Sequence, residues 1–270
     1  MSTSEKGHAK QVDNFRDLVN FIRAYGARYN PSKHNLKLAQ MEASLLEAQT
    51  ILDNVTRIKS LYEDIVNKRA LAFNGLKTFS TRLMNALDCT EASPHKMKNA
   101  KTYHRKLQGK RATPITNTAA PIEPTTQPDT TTPIGIIDNT NITTIVNTPE
   151  SNMPTENTIS ASQQSYTQLL QHFSGLIAVI KTETSYMPNE VELQITALDA
   201  MKSDLAAKND EVSMAFVALS NARIERDKKL YKDANSLYKL AIEAKKYIKS
   251  IYTSNSLEFS QVRSLDFQNR

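Results

Sequence analysis

Apolar residues recur along this chain at steps of three and four. The longest run is Met41, Leu45, Ala48, Leu52, Val55, Ile58, Tyr62 and Ile65, the spacing that keeps a seam on one side of a helix. Unbroken from Leu36 to Phe73, that helix spans about 57 Å at 1.5 Å per residue. Ahead of it, Phe15, Leu18, Val19 and Ile22 share one face of a helix near 12–28. Asn30-Pro31 stops that helix, because the residue before proline is pushed out of the α region. A third helix follows near 76–88. A short fourth begins at Ser93-Pro94, serine as cap and proline at the first helical position.

The far flank repeats the scheme. Tyr29-Asn30-Pro31 aligns with Tyr186-Met187-Pro188, and the match runs without a gap to Phe73 opposite Leu230. Tyr29, Pro31, Leu36, Ala43, Asp53, Val55 and Arg69 are identical in both copies, and apolar positions keep register: Leu38 faces Ile195, Met41 faces Leu198, Ile65 faces Ala222. One gap upstream brings Leu18, Val19 and Ile22 onto Leu176, Ile177 and Ile180. This is the mark of a tandem duplication. In the second copy Asn189-Glu190-Val191-Glu192 reads as a capping-box start. Lys208-Asn209-Asp210 interrupts the stripe and marks a break, and a third helix covers 236–252. Tyr231, Tyr238, Tyr247 and Tyr252 interleave with Leu237, Ala241, Ile248 and Ile251, which reads as core packing with hydroxyls at its boundary.

Between the flanks, residues 112–161 hold seven of the ten prolines and a high density of threonine. Neither residue extends a helix, so this is expected to be a disordered linker. A tether of that length spans on the order of 40 Å. Within it, Ile134–Val146 has the pattern of a short hairpin. The expected fold is all-α: two related antiparallel helical bundles, a tandem duplication, joined by a long disordered Thr/Pro-rich linker. Its parts are a flexible N-terminus (1–10), copy one (11–111), the linker (112–161) and copy two (162–270).

Charge changes the picture more than composition does. The net +6 is partitioned: residues 1–112 carry 20 Lys/Arg against 10 Asp/Glu, while residues 113–160 carry five acids and no base. The excess gathers at the end of copy one, in H-K-M-K-N-A-K-T-Y-H-R-K-L-Q-G-K-R (95–111). On a helix, Met97, Ala100, His104 and Leu107 form a modest apolar face, with Lys98, Lys101, Arg105 and Lys106 beside or opposite it. The matching end of copy two, residues 254–270, has balanced charges. The fold alone therefore does not require the lysines. Three readings follow: phosphate contacts with a polyanion, attraction to anionic lipid, or solubility together with neutralisation by the acidic linker. The lipid reading ranks below the polyanion one, because the apolar face has no Trp, Phe or Ile. The polyanion reading would use Lys96, Lys98, Lys101, Arg105, Lys106, Lys110 and Arg111.

Candidate chemistry is sparse. The histidines are dispersed, without ligand spacing. Cys89 is the single cysteine, which rules out an internal disulfide and reads as a small packing residue. No glycine-rich phosphate loop is present. No catalytic residue, metal, cofactor or small-molecule substrate is expected. The N-terminus has no apolar secretory core, and the longest nearly apolar run, Phe173–Ile180, is far short of a membrane span. A cytoplasmic protein that does not insert into membranes is expected.

Three stretches resemble a family of uncharacterised bacterial proteins built from two divergent helical units. They are A-K-T-Y-H-R-K-L-Q-G-K-R (100–111), L-S-N-A-R-I-E-R-D-K-K-L-Y-K (219–232) and Y-I-K-S-I-Y (247–252). The resemblance implies duplicated helical units and brings no activity or cofactor. The functional expectation is a non-enzymatic structural or interaction protein, binding a protein partner or itself through helical faces. The alternative is weak, sequence-independent nucleic-acid binding through 95–111.

Overall fold

The computed structural model describes residues 7–110 and 164–270. Arg111, the Thr/Pro-rich stretch and the hairpin expected at 134–146 lie outside them. Among the described residues the chain is all-α, with no strand. The helices are α1 (His8–Tyr25), α2 (Leu38–Phe73), α3 (Leu76–Asp88), α4 (Pro94–Gln108), α5 (Tyr166–Lys181), α6 (Ile195–Asp227), α7 (Leu237–Tyr252) and α8 (Leu257–Arg263). No helix among them is long and apolar enough to cross a membrane.

The two flanks share one local geometry at the turn before the long helix. In copy one the Tyr29 hydroxyl donates to the Leu36 carbonyl at 2.9 Å, and in copy two the Tyr186 hydroxyl donates to the Leu193 carbonyl at 2.9 Å. Each tyrosine braces a proline-containing turn that closes in one 3₁₀ turn, His34–Leu36 or Val191–Leu193, two residues before the long helix begins. Two conserved-looking spacings, Tyr-x-Pro and Tyr to Leu, thus have one physical cause: a buried hydroxyl must find an acceptor.

Three local expectations change. The capping box expected at 189–192 is instead this 3₁₀ turn, and the helix proper starts at Ile195. Lys208-Asn209-Asp210 does not break α6, which runs 33 residues because Leu205, Val212 and Leu219 stay buried on either side of the polar triplet. Helix α1 ends at Gly26, whose φ of 56° takes the left-handed region, rather than at Asn30-Pro31.

The chain divides into two compact units, and each draws on both copies: residues 1–75 with 196–270, and residues 76–195. The sequential grouping expected at 11–111 and 162–270 is not the one these units follow. In the first unit α1 packs on α2, α7 and α8. Its core includes Phe15, Leu18 and Ile22 of α1, Met41 and Ala48 of α2, Leu237, Ala244 and Ile248 of α7, and Val262 of α8. Each of these side chains larger than alanine, fully buried, contributes about 1.5–3 kcal/mol. In the second unit α4 packs on α3 and α5, burying Leu83 and Leu87, Ala100 and Leu107, and Phe173, Leu176 and Ile180. So α1 joins the third and fourth helices of copy two, and α5 joins those of copy one. The stripes of α1 and α5 are near-equivalent, which permits this exchange, since either one covers the same kind of surface.

Within the first unit α2 and α6 run antiparallel, as the ring contact of Tyr62 with Phe216 at 6.3 Å and the ion pair of Glu47 with Lys229 require. Beyond α8 the chain has no regular secondary structure. Gln11 exchanges hydrogen bonds with the main chain of Gln268 at 3.1 and 3.3 Å, and the Asn14 amide donates to the Asp266 carbonyl at 2.5 Å.

Candidate interaction surfaces

Helix α4 forms for local reasons. The Ser93 hydroxyl accepts from the Lys96 amide, Pro94 occupies the first turn, and Gly109 at φ 79° ends the helix. Arg105 and Lys106 sit in the last turn, where cations complement the helix dipole. Ala100 and Leu107 are buried with Met97 and His104 half-buried beside them, which is the apolar face read from the sequence.

The cations do not act as one strip. Lys96 turns inward: its ammonium donates to the Thr182 carbonyl at 2.5 Å and to Glu183 at 3.1 Å. Glu183 also accepts from the Ser185 hydroxyl at 2.6 Å and the Ser185 amide at 3.1 Å. These Ser185 bonds first, and Lys96 after them, pull the Glu183 carboxyl down to about 2. Lys96 is thus a tie within its own unit. Lys106 is half-buried and lies by His172, whose pKa is lowered first by burial and then by that ammonium. Lys98, Lys101 and Arg105 follow the i, i+3, i+7 spacing of one helix side. Lys98, Lys101 and Lys110 are exposed, and none of these four cations has a carboxylate in ion-pair reach among the described residues.

Other sequence candidates are also placed. Cys89 is exposed rather than packed, because α3 ends beside it. It borders an open groove of about 540 Å³ lined by Arg82, Tyr186, Asn189 and Glu190 among others. His104 bonds Thr81 at 3.2 Å and Gln108 at 3.1 Å, and burial lowers its pKa. Among the described residues no three metal-ligating side chains converge. The tyrosines pack as read: Tyr231 is buried, Tyr247 meets Tyr29 edge-on at 5.2 Å, and Tyr252 meets Tyr25 at 5.1 Å.

Sequence reasoning passed over a second surface. Helix α6 buries Leu198, Leu205, Val212 and Leu219, a strict seven-residue repeat. On its opposite side Met214, Val217 and Ile224 are 65%, 53% and 50% exposed. Ala218 and Asn221 fill exposed positions between them. Asp210 and Lys228, also exposed, stand at its two ends. The signal was available: two apolar stripes rather than one, offset by half a helical turn. Neither a family model, nor a curated protein, nor a solved structure matches this chain.

Proposed function

We propose that this protein is a non-enzymatic interaction module, cytoplasmic, that pairs with a second copy of itself through the outer face of α6. The observation that carries this reading is the exposed Met214, Val217 and Ile224 strip, unpartnered within its own unit. Apolar surface of this kind on a helix marks an association site. A twofold axis near residue 219 sets two such helices antiparallel. Met214 then meets Ile224 of the second copy, and Val217 meets Asn221. Asp210 meets Lys228 at both ends, about 27 Å apart along the helix. Opposite charges at the two ends of an apolar strip are what antiparallel self-pairing needs, and a parallel arrangement would set like charges together. The exposed thiol of Cys89 suits a reducing compartment.

Sedimentation velocity of the full chain over a range of concentrations tests the reading. We expect a concentration-dependent dimer that is lost in Val217→Glu/Ile224→Glu with helicity unchanged. Asp210→Lys alone and Lys228→Asp alone should each weaken it, and the two together should restore it. A monomer at all concentrations, or a dimer indifferent to these changes, sinks the reading.

A second reading rests on the exposed, uncompensated Lys98 and Lys101 with Arg105: weak, sequence-independent polyanion binding. Retardation of DNA that collapses between low and moderate salt supports it. Retardation unchanged by glutamine at Lys98, Lys101, Arg105 and Lys106 removes α4 as the contact.

A further inference from the structure

We propose that the first unit holds a binding site for a phosphate-type oxyanion, built by His8, Arg226, Tyr231, Lys232 and Arg270. This goes beyond the reading above and uses different residues. The site is a cleft of about 200 Å³ lined by these five and Asp227. It lies where α6 gives way to a π turn, Lys228–Lys232, closed by the Asp233 amide on the Lys228 carbonyl at 3.0 Å. Turns of this kind occur at helix C-termini, and this one ends the helix. Here the turn buries Leu230 and Tyr231 while leaving Lys232 exposed at the rim.

Tyr231 is the floor. Its hydroxyl is held by His8 Nδ1 at 2.9 Å and approaches the Gly7 carbonyl at 3.5 Å. The Arg270 guanidinium lies over its ring, 6.0 Å from the centroid. The guanidinium packs close to Gly7: a Cβ there would fall 2.4–2.7 Å from its atoms and would displace the Arg270 side chain. Among the described side chains of the lining, cations outnumber carboxylates. Asp227, the one side-chain carboxylate in the lining, is committed to Arg226 at 2.8 and 2.9 Å. Lys232 and Arg270 have no carboxylate partner among the described residues. Two cations without a side-chain carboxylate partner among the described residues line this small cleft, one of them a planar fork suited to two oxygens at once. The His8 pKa is lowered by burial first and then by Arg226, against the pull of Asp227, with Arg270 adding to the lowering.

The test is calorimetric titration of the full-length chain with inorganic phosphate, glycerol phosphate and acetate at low ionic strength, alongside the NMR signals of His8. We expect phosphate or its ester to bind at about 1 mM or tighter, acetate more weakly, and the His8 signals to move toward the protonated form. Tighter binding of the ester identifies a phosphoryl group on a small molecule as the ligand; tighter binding of inorganic phosphate identifies the free anion. Arg270→Gln and Lys232→Gln should each weaken binding by about tenfold, the loss of one charge-assisted bond. Both residues are at the surface, and an unchanged helical signal verifies the fold. Lys98→Gln in α4 should leave binding unaltered, as should Val217→Glu/Ile224→Glu, so this site and the proposed dimer fail separately. No heat and no movement of His8, or binding indifferent to Arg270→Gln and Lys232→Gln, overturns the proposal.

Discussion

At the scale of single residues, the partners of two buried tyrosine hydroxyls and of one carboxylate are testable. The Tyr29 and Tyr186 hydroxyls are each buried on a main-chain carbonyl, and burial pushes Tyr186 up to about 12. Replacing either with phenylalanine leaves that carbonyl unsatisfied and should cost about 1–3 kcal/mol, measurable by urea unfolding. Glu183 behaves differently. Its carboxyl falls from 4.5 to about 2 on folding, through Ser185 and then Lys96. A depressed carboxylate contributes stability above its unfolded pKa and loses it as pH falls through the folded one. Between pH 4.5 and about 2 the wild type should therefore lose stability that Glu183→Gln does not lose. Parallel acid titrations of the two proteins are the measurement, and coincident curves would remove Glu183 from the account. Tyr-x-Pro was visible in the sequence as an identity between copies. The role of Lys96 was not, because its partners lie 86 and 87 residues away.

At the scale of elements, helix length decides what a neighbour must be. Helix α4 runs 15 residues where α8 runs seven, and the longer helix carries Tyr103 across α5. There it meets Gly175, where a Cβ would sit 2.3 Å from the ring. The aligned residue on α1, one gap upstream, is Asp17, which is exposed. Alanine normally stabilises a helix interior over glycine by about 1 kcal/mol. Gly175→Ala should instead destabilise by about 1–3 kcal/mol through overpacking. In a Tyr103→Ala background the same change should become neutral or stabilising. A double-mutant cycle by thermal unfolding reads both, and additive effects would refute the contact. Helix existence and extent were legible in the 3.6-residue period, and α3 and α7 begin within a residue of where the pattern places them. The continuity of α6 through Lys208-Asn209-Asp210 was not, because the buried heptad spans the polar triplet and outweighs it. The outer strip of α6 was also missed, since a helix apolar on two sides has no single face to read.

At the scale of the whole molecule, the two units fasten the braced turn to the third helix by the same device with charge reversed. In the first, Lys33 of the turn meets Glu243 of α7 at 2.6 Å; in the second, Glu192 of the turn meets Arg82 of α3 at 2.6 Å. Both pairs join residues from different copies. Both are largely solvated, so each adds at most about 1 kcal/mol. Their inverted polarity discriminates between the near-equivalent turns. Because each unit draws helices from both flanks, two pieces covering 1–111 and 162–270 should co-purify when produced together. Each alone should lose cooperative unfolding, followed by circular dichroism. Two independently folded, non-associating pieces would contradict the exchange.

Local chain physics determined the helices, their caps and the repeat: apolar periodicity, serine and proline at starts, glycine at stops and tyrosine spacing act within a few residues of themselves. The choice of which helices pack together belonged to the tertiary structure. Two copies with near-equivalent stripes satisfy the same periodicity whether a helix pairs inside its own copy or with the other. Long-range details select between them: the interleaved core, the reversed ion pairs, and the C-terminal tail held by Gln11 and Asn14.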